Sequence, residues 1–344
     1  MRVSLIVPAP FDTISGGYGY DRRMVSGLRV LGHAVDVIEL PGAFPIVDDL
    51  ARESARTTWV GLPRDKKPLI DGLALPAFRG LEDAVAAREA VGLIHHPVSL
   101  ETGLSAFDQA TLTDSEHRLL PSLSRLIVTS DITAEAIAVH FHIPPDRIRT
   151  VVPGTSDATR CPGSDGPSCE ILSIGTLIPR KGHDLLIHAL ARLYDLDWHL
   201  TIVGSADRDP PHARGLAALA DKLGVAHRVR FAGELVDEAL EAAWHGADLF
   251  ALATYHEGFG MAIAEALKRG VPVVVTAGGA AGALVTAGAG YVCPVGDHDQ
   301  VAKSLRRLIS GRGLRRKMAE QAWQVGQTLP SWQTQAARFA LALG

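Results

Sequence analysis

The sequence predicts an α/β protein made of two doubly wound, Rossmann-like domains in series. Three observations carry this. Short β-branched apolar runs alternate with helical patterns along the chain, the signature of parallel sheets with crossover helices. A stretch rich in Gly, Pro, Ser, Asp and Thr interrupts that rhythm near the middle. The length, 344 residues, exceeds the ~250–300 residues at which single hydrophobic cores stop growing.

In the first half, Arg2–Pro8 (RVSLIVP) reads as a strand, Tyr20–Leu31 as a helix ended by Gly32-His33, and Ala34–Leu40 (AVDVIEL) as the next strand. Gly92–Ile94 and Arg125–Thr129 are further strands, Ala134–Phe141 a helix, and Arg149–Val152 a last strand before Pro153-Gly154. From Pro153 to Ser168 no hydrophobic period is present, which reads as a linker. The rhythm then restarts. Strands are expected at Glu170–Ile174, His199–Val203, Arg228–Phe231, Ala247–Ala253 and Val271–Val275. Helices are expected at Gly182–Tyr194, Ala213–Leu223, Val236–His245, Gly260–Arg269 and Gln300–Ile309. Continuous apolar strands of this kind fit sheets covered on both faces. Trp332–Leu343 (WQTQAARFALAL) is an amphipathic tail helix, packing on the second domain or crossing back to the first.

Composition narrows the function classes. The balance of 34 Lys plus Arg against 38 Asp plus Glu, a net charge of −4, gives no support to nucleic-acid binding driven by overall charge. Cys161, Cys169 and Cys293 form no CxxC pair, so zinc binding and disulfide stapling are not expected. No signal-peptide pattern and no ~20-residue apolar span is visible. A cytoplasmic protein is the expectation, with peripheral contact at the inner face of the membrane left open.

Ligands of open parallel sheets bind beyond the carboxyl ends of the strands, so the loops there matter most. The first, Pro8–Tyr20, contains Gly16, Gly17 and Gly19, which allow close backbone approach to a ligand, but Arg22 stands where a dinucleotide fingerprint needs its third glycine. In the second, Gly175–Gly182, Arg180 and Lys181 precede a helix start. Cations are unfavourable there unless an anion joins them, and a diphosphate would resolve the conflict. The third, Glu257-Gly-Phe-Gly-Met-Ala-Ile-Ala-Glu265, places one carboxylate before a helix and another within it, with Gly258 and Gly260 leaving the helix N-terminal N–H groups uncovered. His95-His96-Pro97 ends another strand, where an imidazole suits hydroxyl recognition or developing charge. Neither a GxSxG elbow nor a P-loop occurs.

With these motifs in this order, the chain resembles the retaining glycosyltransferases of family 4, the group 1 glycosyltransferases, whose GT-B fold sets two Rossmann-like domains facing each other across a cleft. Glu257-Gly-Phe-Gly-Met…Glu265-Ala266 matches that family's E-x7-E motif. Gly175-Thr-Leu…Lys181-Gly182 is similar to its donor-phosphate loop, and Val229-Arg-Phe-Ala-Gly233 to the loop beside the nucleobase. Gly278-Gly279 and Pro294-Val-Gly-Asp297 follow in the usual order, while Gly16-Gly17 and His95-His96 resemble the family's glycine loop and strand-end histidine.

The resemblance implies an acceptor-binding domain at 1–152, a linker at 153–169, a nucleotide-sugar-binding domain at 170–325 and the terminal helix at 326–344. It implies sugar transfer from a nucleotide-sugar to a glycan, lipid or small-molecule acceptor with retention, in glycan, glycolipid or cell-surface polysaccharide synthesis, with no metal, no cofactor and no stable protein partner. Arg180 and Lys181 would hold the diphosphate, Glu265 the ribose, and Glu257 the transferred sugar. Phe259, Gly260 and Met261 would offer backbone groups, with Gly175, Gly204, Leu235 and Gly258 completing the donor site. His96, ahead of His95, would bond a donor-sugar hydroxyl, and Gly17 would approach from the other domain. In the family's front-face mechanism the departing phosphate oxygen takes the acceptor proton. Two positions depart from the pattern: Thr176 stands where many members have arginine, and Ala281-Gly282 where Pro-Glu is common. An epimerase of the same fold, an NAD-dependent oxidoreductase and a non-catalytic nucleotide-sugar binder are the alternatives. The Glu257/Glu265 spacing, the missing GxGxxG and the intact Lys181 weigh against them in turn.

Overall fold

The protein is described here from a computed structural model covering residues 1–344 other than 102, 165 and 287. The chain divides into two compact units, Met1–Gly154 with Pro330–Gly344, and Thr155–Leu329.

The first unit runs β1 (Arg2–Pro8), α1 (Gly16–Val30), β2 (Ala34–Leu40), α2 (Asp49–Gly61), β3 (Lys67–Asp71), α3 (Glu82–Ala87), β4 (Val91–Ile94), α4 (Ala106–Ser122), β5 (Arg125–Val128), α5 (Asp131–His140) and β6 (Ile148–Thr150). Its strands pair in parallel in the order β2-β1-β3-β4-β5-β6. The apolar runs are buried throughout: in β1 the six residues after Arg2 are all buried. Helix starts are set by short polar caps. Ser15 accepts from Tyr18 N–H, Asp48 from Ala51 N–H and Ser130 from Thr133 N–H, each satisfying one backbone donor that the helix itself cannot.

The second unit runs β7 (Cys169–Ile174), α6 (His183–Ala191), β8 (Trp198–Val203), α7 (Pro210–Lys222), β9 (Val229–Gly233), α8 (Asp237–His245), β10 (Leu249–Leu252), α9 (Met261–Lys268), β11 (Val273–Thr276), β12 (Gly290–Cys293), α10 (His298–Ser310) and α11 (Arg312–Thr328). Its parallel sheet has the order β12-β11-β10-β7-β8-β9. The core splits between the two sheet faces. Leu186, Leu190, Trp198, Leu200 and Leu305 lie in one cluster, and Trp244, Phe250, Ile263, Leu267 and Val273 in the other. Two covered faces explain why these strands are apolar without alternation.

One expectation is revised, and the tail helix takes one of the two placements left open for it. Residues 155–169, expected as linker on composition, group with the second unit: Cys161 N–H bonds the Arg269 carbonyl at 2.9 Å, and the Ser164 hydroxyl bonds Asp248 Oδ2 at 2.5 Å. Asp165, within that stretch, lies outside the described residues. The tail helix α12 (Trp332–Leu343) groups with the first unit, so its apolar stripe completes that core rather than the second. Its Ala336 meets Gly27 of α1, where a Cβ would overlap it, and Gln335 donates to the Val152 carbonyl at 2.5 Å. The segment from Arg52 to Lys67, rich in basic residues, runs through helix, turn and strand start. Arg52 and Arg56 ride on α2, Lys67 starts β3, and Arg52 and Lys66 pair with Asp49 and Asp36. The helices α2, α4 and α11 were not legible as such in the sequence.

Among the described residues no helix is long and apolar enough to cross a membrane, and the three cysteines are free thiols. Phe339 of α12 is fully buried, its ring 6.3 Å from that of Tyr20. Phe339→Ala should therefore lower the stability of the first unit by about 3–5 kcal/mol, measured as a shift of its urea transition; a change under about 1 kcal/mol would show that α12 does not belong to that core.

Candidate functional site

A topological switch point fixes where each unit can hold a ligand. In the second unit, β7 and β10 are neighbours in the sheet, and the chain leaves β7 toward β8 on one side and β10 toward β11 on the other. The loops after β7 and β10 therefore flank the crevice in which ligands of open parallel sheets bind. They are Gly175–Gly182 and Ala253–Gly260, the two loops that carry Arg180, Lys181 and Glu257.

The side chains converge across that crevice. Lys181 Nζ lies 2.7 Å from Glu257 Oε1, and Arg180 Nη1 lies 3.8 Å from the same oxygen while donating to the His256 carbonyl at 2.7 Å. Thr254 Oγ1 stands 3.1 Å from Glu257 Oε1. Glu257 is 8% exposed. Burial alone would push its carboxyl up, but the charges of Lys181 and Arg180, with hydrogen bonds from Lys181 and Thr254, hold it below the usual glutamate value. It is thus a buried acceptor whose charged form is favoured, and two cations against one carboxylate leave a local net charge of +1.

The backbone around it is shaped by glycines. Gly175 lets the Lys181 stem cross the loop, since a Cβ there would sit 3.0 Å from Lys181 Cδ. A Cβ on Gly204, at the end of β8, would overlap the Gly175 carbonyl, so Gly204 supports the same loop from the neighbouring strand. Gly260 caps α9 with φ 102°, a left-handed conformation that favours glycine. Met261 opens α9 and Glu265 lies one turn later, half-buried. Gly258 and Phe259 form the bend between, and Leu235 sits between β9 and α8.

Three contributors carried weaker sequence signals. Gly278-Gly279 pins the Glu257 backbone: Glu257 N–H bonds the Gly278 carbonyl at 3.1 Å and Ala280 N–H bonds the Glu257 carbonyl at 2.8 Å. A Cβ on Gly279, with φ 58°, would overlap the Glu257 carbonyl oxygen. Thr254 had no sequence signal at all. His183, fully buried at the start of α6, hydrogen-bonds the Gly175 carbonyl through Nε2 at 3.1 Å. Burial drives its imidazole down to about 4, assisted by the Lys181 and His212 charges against the bond to Gly175. The segment from Ala281 to Leu284, whose shape the departure from Pro-Glu left open, is a 3₁₀ turn.

In the first unit the strand order reverses between β1 and β3, and again the marked residues gather there. Gly17 lies in the first turn of α1, and a Cβ on it would sit 3.3 Å from His95 Cδ2. His95 Nε2 lies 3.0 Å from Asp21 Oδ1 and 3.6 Å from Asp71 Oδ2. His96 takes a different partner, Glu101, at 2.9 Å. The turn that follows is fastened by buried Glu116 of α4, which accepts from Val98 N–H at 2.7 Å and Ser99 N–H at 3.2 Å. Among the described residues, Asp21, Asp71 and His95 are the group whose ligand-type atoms lie close enough, within 4.8 Å, for a metal ion. His95 Nε2 and Asp21 Oδ1 lie at hydrogen-bond distance across that group.

Residues 162–325 match the family described as glycosyl transferases group 1. The D-inositol 3-phosphate glycosyltransferase of Salinispora tropica is 32% identical over 235 residues, covering 60% of this chain and 48% of that protein. The chain thus spans about half the length, or less, of the curated relatives it matches first. Among solved structures, sucrose-phosphate synthase from Thermosynechococcus elongatus superposes with a TM-score of 0.81 at 20% identity, covering 99% of this chain and 98% of that one. Anabaena Alr3699/HepE in complex with UDP-glucose gives 0.75 at 17% identity, covering 99% of both chains. At these identities the likeness is one of fold, and both units fit the GT-B architecture.

His183 makes the surroundings of the Gly175–Gly182 loop pH-sensitive in a defined direction. The imidazole is neutral in the fold and takes a proton near 6.5 when unfolded but only near about 4 when folded. Stability from the neutral ring is therefore present above about pH 6.5 and lost as pH falls toward 4. Urea titrations at pH 7, 5.5 and 4.5 should show this acid-side loss in the second unit, and His183→Gln should flatten it; an unchanged slope in the variant would remove His183 as its source.

Proposed function

We propose, on the premise that this chain belongs to the group 1 glycosyltransferases, that it transfers a sugar from a nucleotide-sugar donor to an acceptor hydroxyl with retention of anomeric configuration. The observation that carries this reading is the meeting of Lys181 and Arg180 with Glu257 at the switch point of the second sheet. A nucleoside diphosphate brings more negative charge than one carboxylate, and a site with two cations around a single buried acid is matched to that excess. Arg180 and Lys181 hold the diphosphate and stabilise the charge that develops on its departing oxygen. Glu257, kept ionised by those cations, accepts from hydroxyls of the transferred sugar, and the backbone at Phe259, Gly260 and Met261 supplies further contacts. Glu265 accepts from the ribose hydroxyls.

In the transfer the acceptor oxygen bonds the anomeric carbon as the bond from that carbon to the phosphate oxygen breaks. The acceptor proton passes to the departing phosphate oxygen, so no separate side-chain base is required. A retaining path fits a site whose one deeply buried carboxylate is already engaged by Lys181, Arg180 and Thr254. UDP-glucose in the complex of Anabaena Alr3699/HepE supports the donor class. The acceptor is a glycan, lipid or small molecule, bound by the first unit, and the protein works in glycan or glycolipid synthesis at or near the inner membrane face without metal or cofactor.

Lys181→Ala and Glu265→Ala should each lower donor turnover roughly 10- to 150-fold, the loss of a charge-assisted contact worth about 1.5–3 kcal/mol. Wild-type rates of donor hydrolysis in both variants would remove these residues from the site. A thermal-shift screen against UDP-, GDP-, ADP- and dTDP-sugars should single out one base by mass-action stabilisation. Turnover should persist in excess EDTA; its loss, restored by added metal, would overturn the metal-free reading.

A further inference from the structure

The two ends of the first sheet carry different charges. All its strands are parallel, so the segments that follow β1, β2, β4 and β5 share one end, where ligands of such sheets bind, and the strand starts share the other. Arg2, Lys67 and Arg125 open β1, β3 and β5, and Lys66 and Arg147 immediately precede β3 and β6. The strand exits carry acids instead: Asp12 after β1, Asp48 and Asp49 after β2, Glu101 and Asp108 after β4, and Asp131 after β5. No position in the exit loops 9–15, 41–48, 95–105 and 129–130 is lysine or arginine. The arginines nearest that end are already engaged. Arg22 donates to the Phe11 and Thr13 carbonyls at 2.6 and 3.0 Å, Arg23 lies over the Trp332 ring, and Arg52 pairs with Asp49.

Helix starts work against this field, because their free N–H groups and dipoles favour anions. The helices α1, α2, α4 and α5 all begin at the exits, but all except α1 bring an anion of their own. Asp49, Asp108 and Asp131 stand in the first turns of α2, α4 and α5, behind side-chain caps from Asp48, Ser105 and Ser130. Helix stabilisation accounts for those carboxylates. It does not account for Asp12, since α1 is capped by Ser15. Asp12 and Asp131 are exposed and pair with no cation among the described residues. The same segments expose Ile14, Phe107 and Ile132, apolar surface suited to the C–H face of a saturated ring. A surface of one sign beside an apolar wall concentrates counter-ions and depletes ions of its own sign. A phosphate ester arriving here is repelled, and a protonated amine is drawn in.

We propose that the first unit takes an acceptor that bears a protonated amine, an amino sugar or an aminocyclitol, and selects against phosphorylated acceptors. The amine is attracted by the exit carboxylates, while a hydroxyl of the same molecule receives the sugar. This names the acceptor class and therefore rests on the transferase reading; the sign of the field does not.

The field is read on the full chain with a pair of nitroxide cosolutes of similar size, one amino-substituted and one carboxy-substituted, whose relaxation of each backbone amide reports the local potential. The cationic probe should relax amides near Asp12 and Asp131 more than the anionic probe does, and amides near Lys67 and Arg125 less. Equal or reversed effects at the exits overturn the proposal whatever the turnover. Turnover is then compared on one ring, with glucosamine, glucose and glucose 6-phosphate, as nucleoside diphosphate released above donor hydrolysis. kcat/KM should fall in that order, by roughly tenfold or more from first to last, and the gap should close as salt rises from roughly 20 to roughly 300 mM. The double variant Asp12→Asn with Asp131→Asn should narrow both the relaxation difference and the turnover gap. A phosphate ester used as well as its neutral parent overturns the proposal, as does an amine used no better than that parent. The expected field in a protein that neither binds nor hydrolyses a nucleotide-sugar overturns the transferase reading instead.

Discussion

Burying one carboxylate at the edge of a parallel sheet constrains much of the second unit. Glu257 is held among backbone carbonyls and apolar strand ends, where an uncompensated charge would cost several kcal/mol. The fold supplies compensation from the opposite side of the switch point, through Lys181 and Arg180, and a hydroxyl from Thr254. That requirement sets the loop lengths on both sides. It also sets the glycines: Gly175 admits the lysine stem, Gly204 admits the Gly175 carbonyl, and Gly279 admits the Glu257 carbonyl. These residues are far apart in sequence but share one task, bringing a cationic loop and an acidic loop within hydrogen-bond distance.

The first unit repeats the arrangement with the signs rearranged. Its switch point lies between β1 and β3, and there the buried charges are two carboxylates around one imidazole rather than two cations around one carboxylate. Gly17 has the part that Gly175 has in the second unit, a missing side chain where a charged neighbour must lie close. Doubly wound sheets leave a crevice wherever the chain reverses direction, and each unit has filled its crevice with a charge cluster of its own.

The fold was legible because parallel strands buried on both faces are continuous apolar runs, and nearly every such run in the second half became a strand within one or two residues of its expected ends. The stretch from Pro41 to Gly92 was not, because α2 carries Arg52, Arg56 and two threonines on its exposed side and buries only Ala51, Ala55 and Trp59. Composition misplaced residues 155–169 for a related reason. Gly, Pro and Ser predict irregular backbone, and irregular backbone was found, but nothing in composition reveals that Asp248 and Arg269 hold it against the second unit. The candidate site was legible where side-chain chemistry is unusual for its place, as with paired cations before a helix start. It was illegible where an ordinary residue acts through a contact, as with Thr254, or where two adjacent histidines differ only in what the fold sets beside them.

That last case shows what a sequence motif leaves open. His95 and His96 have the same chemistry and adjoin one another, yet successive residues leaving a strand point to opposite sides. One turns toward α1 and β3 and meets two buried acids, while the other meets Glu101, on a segment fastened by Glu116. His95 faces two buried carboxylates, and His96 faces Glu101. The difference in surroundings between the two histidines therefore comes from Asp21 and Asp71, 74 and 24 positions away from His95, and from the sheet order that sets β3 between β1 and β4.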